Sequence, residues 1–206
     1  MNWAAYLALL ALAGVAAQTP APAPAPLPND SLQRPGVLLH EMKLEPGMTV
    51  ADIGTGIGNM LAMLSRRVGP AGRVLAEDTD DELLTAAKGS ALNQNLENIT
   101  FIKGTDTDPK LPEGQVDVIF AFDVYHHFTN PEKMLDAFYK ALRPDGRLVI
   151  VAYYKRDSAM PDGKALSRIR LDLPEMIKEL EANRFHLIEE KEYAKNMQYM
   201  LILEKS

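Results

Sequence analysis

Residues 50–60 read Val50-Ala51-Asp52-Ile53-Gly54-Thr55-Gly56-Ile57-Gly58-Asn59-Met60. A short apolar run reaches a glycine-rich turn and continues into a helical pattern over Asn59–Val68, which Gly69-Pro70 ends. Glycines in such a turn permit positive φ and let a ligand approach the backbone. The following helix offers unpaired N–H groups and the positive end of its dipole. This loop suits a pyrophosphate or the amino-acid end of a nucleoside cofactor. Spacing bears on the choice. A dinucleotide fingerprint is G-x-G-x-x-G, whereas here the third glycine is Gly58 and Asn59 stands in the fingerprint's last glycine position. Asp52 lies two residues before Gly54. Its charge repels a phosphate and can receive an ammonium group.

Outward from this loop, short apolar runs alternate with amphipathic stretches, which is the pattern of a parallel sheet with crossover helices. A helix is expected near 32–43, stopped by Pro46-Gly47, before a strand at Thr49–Ile53. Further strands are expected at Arg73–Glu77, Ile99–Lys103, Val116–Phe122 and Arg147–Tyr153. Asp80 or Asp81 opens a helix to about Ala91, Pro131 opens one to Leu142, and Pro174 starts a last helix to about Asn183. Phe185–Tyr193 and Gln198–Glu204 read as an antiparallel hairpin.

The N-terminal stretch has a different character. Trp3–Ala17 carries no charge, is short for a membrane span, and ends in Val15-Ala16-Ala17, small residues at the −3 and −1 positions of a cut before Gln18. Residues 1–17 therefore read as a cleavable export signal, with an uncleaved anchor as the alternative. No Lys or Arg precedes the apolar run. Residues 18–30, QTPAPAPAPLPND, alternate proline and alanine and read as an extended spacer. The domain spans 31–206. Cleavage implies a periplasmic or secreted protein without stable membrane insertion.

The 206 residues suffice for one domain with a substantial core, and no internal repeat is apparent. A net charge of −6 disfavours a nucleic-acid substrate, since each phosphate contact needs a cation. The absence of cysteine excludes disulfides, thiolate metal sites and thiol nucleophiles, but does not identify a compartment.

The glycine loop with Asp52 resembles motif I of class I S-adenosylmethionine-dependent methyltransferases: an acid, one spacer, then G-x-G-x-G. Four further segments resemble that family in order. Val74-Leu75-Ala76-Glu77-Asp78 is a strand ending in acids; the resemblance places Asp78 against the ribose hydroxyls, with Glu77 the alternative. Lys103-Gly104-Thr105-Asp106-Thr107-Asp108 resembles the adenine-capping segment, usually Gly-Asp-Ala. Thr105 stands where aspartate is common, leaving Asp106 or Asp108 to substitute. Leu111–Ile119 followed by Asp123-Val124-Tyr125-His126-His127-Phe128 resembles the fourth-strand region of the ubiquinone/menaquinone-biosynthesis-like (type 11/25) group. Arg143-Pro144-Asp145-Gly146-Arg147-Leu148 resembles the turn before strand five. The similarity covers about residues 31–153.

The resemblance implies a Rossmann-like α/β three-layer sandwich, its mostly parallel seven-stranded sheet ending in an antiparallel hairpin. It also implies S-adenosylmethionine as cofactor, a small-molecule methyl acceptor, and cofactor contacts from Asp52, Gly54, Thr55, Gly56, Gly58, Asp78, Thr79, Asp106 and Asp123. The acceptor is expected near Asp123–His127 and Tyr154–Leu173.

His126 and His127 are the candidate catalytic residues, because imidazole titrates near neutrality. Packing in the turn is the competing reading. Adjacent residues point in different directions, so no metal site is expected there. Two other functions remain open: a non-catalytic nucleoside-binding module of the same fold, and a nicotinamide-dependent oxidoreductase, which the glycine spacing and Asp52 disfavour.

Overall fold

A computed structural model describes residues 35–206. The expected signal, the Pro/Ala spacer and the start of the first expected helix lie in residues 1–34, outside the described part. Among the described residues, no helix is long and apolar enough to cross a membrane.

Seven strands form one sheet: β1 Thr49–Ile53, β2 Arg73–Asp78, β3 Ile99–Lys103, β4 Val116–Phe122, β5 Leu142–Tyr153, β6 Phe185–Ala194 and β7 Gln198–Lys205. Among the described residues six α-helices accompany them: α1 Pro35–Glu41, α2 Leu61–Val68, α3 Asp81–Asn93, α4 Pro131–Ala141, the single turn α5 Ala165–Arg168, and α6 Leu173–Ala182. The strand order is β3-β2-β1-β4-β5-β7-β6. The first five strands pair in parallel, and β7 pairs antiparallel with both β5 and β6. This is the Rossmann-like sandwich expected from the sequence, hairpin included.

The layers follow from a period of two along strands covered on both faces. Val50, Val118, Phe120, Val149 and Val151 pack on one face with Leu38, Met42, Leu61, Leu64 and Ala87 from α1, α2, α3 and the turn after α1. Their strand neighbours Ala51, Ile119, Ala121, Leu148 and Ile150 pack on the other face with Leu135 and Phe138 of α4 and Met176 and Leu180 of α6. Burial on both faces explains why these strands are apolar on both sides rather than alternating.

Two boundaries differ from expectation for visible reasons. β5 begins at Leu142, because pairing starts at Val116–Leu142 and resumes at Val118–Arg147 across an irregularity. The turn residues Arg143–Gly146 are thereby drawn into the strand. The helical pattern over Asn59–Val68 becomes helix only from Leu61, because Asn59 and Met60 complete the glycine turn.

One consequence of the strand order positions the site. From β1 the chain winds outward through β2 to β3, then returns to place β4 on the other side of β1. In sheets of this kind ligands bind beyond the carboxyl ends of the strands, at the point of reversal. Here that point lies between β1 and β4.

Candidate active site

A cleft of about 490 Å³ opens at that point, within the size range of small-molecule sites. The loops after β1, β2, β3 and β4 contribute. Ile53, Gly54 and Gly56 follow β1; Glu77, Asp78, Thr79 and Asp80 close β2; Thr105 and Asp106 follow β3. Asp123, Val124, His127, Phe128 and Thr129 follow β4, with Leu83 and Met134 from α3 and α4.

The loop after β1 fits closely against the turn after β4. Gly54 has φ +65°, and a Cβ there would lie 2.4 Å from Val124 Cγ2. Only glycine meets both conditions without displacing the turn. The Gly56 N–H donates to Asp78 Oδ2 at 2.9 Å, and the Asp80 N–H donates to Asp78 Oδ1 at 2.9 Å. Both Asp78 oxygens thus already accept backbone hydrogen bonds. Asp80 caps α3, accepting from the N–H groups of Glu82 and Leu83.

Glu77 is placed differently. It is 2% exposed, accepts only a long hydrogen bond from the Gly54 N–H (3.4 Å), and its Oε1 is buried without a partner. Gly104 gives it room, since a Cβ there would sit 1.8 Å from Oε1. A buried oxygen without a donor is costly unless a ligand supplies one. Between the two acids closing β2, Glu77 therefore has the free acceptor, and Asp78 braces the loop.

Asp52 lies beneath the cleft, outside its lining, and accepts a 2.7 Å hydrogen bond from the Thr55 hydroxyl. Asp52 and Thr55 thus stabilise the loop from within, while Gly58 packs against Leu61 and Ala87. Asp106 lines the cleft; Asp108 is outside the lining, paired with Lys110 at 2.6 Å. Of the two candidates for the adenine end, the fold brings Asp106 to the site.

The two histidines separate. His127 is exposed and lines the cleft. His126 turns behind it, with ring centroids 4.0 Å apart and only 6% of its side chain exposed. Tyr125, buried, donates its hydroxyl to Glu179 on α6 at 2.7 Å, and Arg170 holds Glu179 through two nitrogens at 2.6 and 2.7 Å. This anchor for the turn was not foreseen from sequence, because its partners lie more than 40 residues away along the chain. None of the residues lining the cleft comes from 154–173, the stretch expected beside the acceptor.

The cleft's electrostatics are one-sided. Five lining residues are acids (Glu77, Asp78, Asp80, Asp106 and Asp123), and none is Lys or Arg. Burial pushes Glu77 up to about 8, with further upward pressure from Asp78 and Asp52. Burial pushes Asp52 up to about 7 against the opposing Thr55 hydrogen bond, and Asp123 up to about 7. Burial, with His127 and Arg168 nearby, lowers His126 to about 4, so its imidazole is neutral. Such a site favours a ligand that brings positive charge and hydrogen-bond donors, and disfavours a pyrophosphate. Among the described residues no group of three or more His, Cys, Asp or Glu is arranged to hold a metal ion.

Comparison with known proteins agrees with this geometry. The model of the Methyltransferase domain family matches residues 44–203. A ubiquinone/menaquinone biosynthesis C-methyltransferase from Enterobacter sp. (strain 638) is 30% identical over 110 residues, covering 53% of this chain and 44% of that protein. Nocamycin O-methyltransferase of Saccharothrix syringae is 31% identical over 111 residues, covering 54% and 40% respectively. The chain thus matches less than half the length of these relatives. The crystal structure of an S-adenosylmethionine-dependent methyltransferase from Aquifex aeolicus superposes with a TM-score of 0.76 at 28% identity, over 84% of this chain and 89% of that one. The chain belongs to the Methyltransferase domain family. Its family and fold imply S-adenosylmethionine as the cofactor.

Proposed function

We propose that this protein is a methyltransferase that takes its methyl group from S-adenosylmethionine and delivers it to a small-molecule acceptor. The observation that carries the reading is the buried, unpartnered Glu77 Oε1 in an acid-lined cleft at the β1/β4 reversal. A sulfonium nucleoside brings what that cleft lacks: positive charge, an ammonium group and a hydroxyl-bearing sugar. Glu77 would receive the ribose hydroxyls, with Asp78 keeping the Gly56 amide in place. Asp106 and Thr79 would line the nucleoside's path, while the Gly54–Gly58 loop, held from below by Asp52 and Thr55, would carry the amino-acid end.

When bound, the cofactor supplies an electrophilic methyl carbon and a neutral leaving group. The chain's own contribution is then alignment and exclusion of water. Val124, Phe128 and Met134 form an apolar wall at the β4 side of the cleft, where the acceptor would rest. His127, exposed within reach of that wall, is the histidine placed to orient the acceptor.

The test is incubation of the purified protein with methyl-labelled S-adenosylmethionine and pooled small-molecule fractions. Label transferred to a small molecule supports the reading. Cofactor binding without transfer to any fraction would favour the non-catalytic nucleoside-binding module. We also propose export through residues 1–17; an N-terminus found at Gln18 in protein recovered from the producing cells supports it, and an intact Met1 counts against it.

A further inference from the structure

Asp123 occupies an unusual position. Its φ of 54° lies in the left-handed region, which aspartate tolerates better than most residues, and its N–H donates to Val151 O at 2.8 Å. Its Oδ1 is buried with no hydrogen-bond partner, and so is the Nδ1 of His126, 3.7 Å away. The contact is not an ion pair, because His126 is neutral. At 3.7 Å the two unpartnered atoms are too far apart for a hydrogen bond, and a small movement of either side chain would bring a proton on Asp123 within reach of the His126 lone pair. Asp123 lines the cleft, whereas His126 is outside its lining.

We propose that Asp123 is the group that accepts a proton from the methyl acceptor, that His126 is the positioning residue behind it, and that the acceptor is an uncharged or cationic O–H or N–H nucleophile rather than an anion. The proposal rests on the methyltransferase reading above. The acceptor's X–H bond breaks, its electron pair stays on X, and the proton goes to the Asp123 carboxylate. That pair forms the new bond to the methyl carbon of the sulfonium donor as the carbon–sulfur bond breaks, its electrons remaining on sulfur. The proton then returns from Asp123 to water. Once protonated, Asp123 would close the 3.7 Å gap and donate to the lone pair of His126 Nδ1, which would stabilise the proton-holding state.

The surrounding charges fit. Burial raises Asp123 to about 7, which matches a base working near neutrality. His127 and Arg168 both disfavour a charge on His126. Across the cleft stand Glu77, Asp78 and Asp106, with no Lys or Arg in the lining to neutralise an anionic acceptor.

The experiment is carboxyl-carbon and imidazole-nitrogen NMR on the full chain. In the free protein Asp123 is expected to titrate near neutrality, with His126 Nδ1 appearing as an unprotonated acceptor. His126→Phe should lower the Asp123 midpoint by about half to one unit, the size of the one hydrogen bond that protonated Asp123 could then no longer form. With S-adenosylhomocysteine bound, benzylamine and benzyl alcohol should perturb the Asp123 resonance at concentrations at least ~10-fold below those at which benzoate does, a gap of about 1.4 kcal/mol. An Asp123 midpoint in the ordinary carboxylate range, a proton on His126 Nδ1, or benzoate binding as well as benzylamine would each overturn the inference. Absence of S-adenosylhomocysteine binding would instead strike at the methyltransferase reading. The free-protein titration would still decide the Asp123–His126 coupling.

Discussion

Glu77 and Asp78 are sequence neighbours with opposite tasks. Glu77 keeps a buried oxygen free, while both oxygens of Asp78 accept from the backbone. Glu77→Ala should therefore weaken S-adenosylhomocysteine binding by at least ~10-fold in calorimetry with little loss of thermal stability, since one charge-assisted hydrogen bond is worth about 1.5–3 kcal/mol. Asp78→Ala should lower the melting temperature as well, because it frees two backbone N–H groups. The raised acids also set a pH dependence. Glu77 (about 8), Asp52 (about 7) and Asp123 (about 7) hold protons in the folded state that the unfolded chain has released. Their stabilisation is full below about pH 4 and is lost as pH rises through the folded values. His126, depressed from 6.5 to about 4, acts oppositely: its stabilisation is full above 6.5 and is lost as pH falls towards 4. Above pH 6.5 only the acids contribute, so the ligand-free protein should lose thermal stability from pH 6.5 to 8. Glu77→Gln should flatten that slope in a melting series; an unchanged slope would contradict the assignment.

The element that ties these residues together is a pair of loops rather than a helix or strand. The turn after β1 fits against the turn after β4 through Gly54 and Val124, with no space for a Cβ between them. Gly54→Ala should cost about 1–3 kcal/mol in chemical denaturation, from strained backbone and overpacking together. It should weaken nucleoside binding in parallel. If the variant matches the wild type in both, the two loops are not interlocked. At this scale the sequence was informative where a pattern is local. β1 and β4 lie at Thr49–Ile53 and Val116–Phe122 as their apolar runs indicate, because burial on both faces leaves little freedom, and the half-exposed edge strand β3 lies at Ile99–Lys103 as expected. It was silent where a contact is distant. Choosing Glu77 over Asp78 needs the close approach of Gly104, and separating His126 from His127 needs the short 3₁₀ turn Tyr125–His127 that Glu179 and Arg170 anchor from α6. The single turn α5 was not anticipated, since four residues carry no periodicity to read.

At the scale of the whole molecule, chain order and chemistry converge. The strand order reverses between β1 and β4, so the loops carrying the cleft's acids end at one edge of the sheet. Helices on both faces seal the strands, leaving that edge as the place where buried carboxylates meet solvent. Raised carboxyl groups of this kind await a cation and hydroxyl donors, and a sulfonium nucleoside supplies both. Binding should release protons, because a ribose that donates to Glu77 favours its ionised form. The most direct measurement is titration calorimetry of the purified protein with S-adenosylhomocysteine at pH 7 in two buffers of different ionisation enthalpy. The account predicts one site per chain and a buffer-dependent heat that reports proton release. No heat in either buffer, from protein shown to be folded, would contradict it.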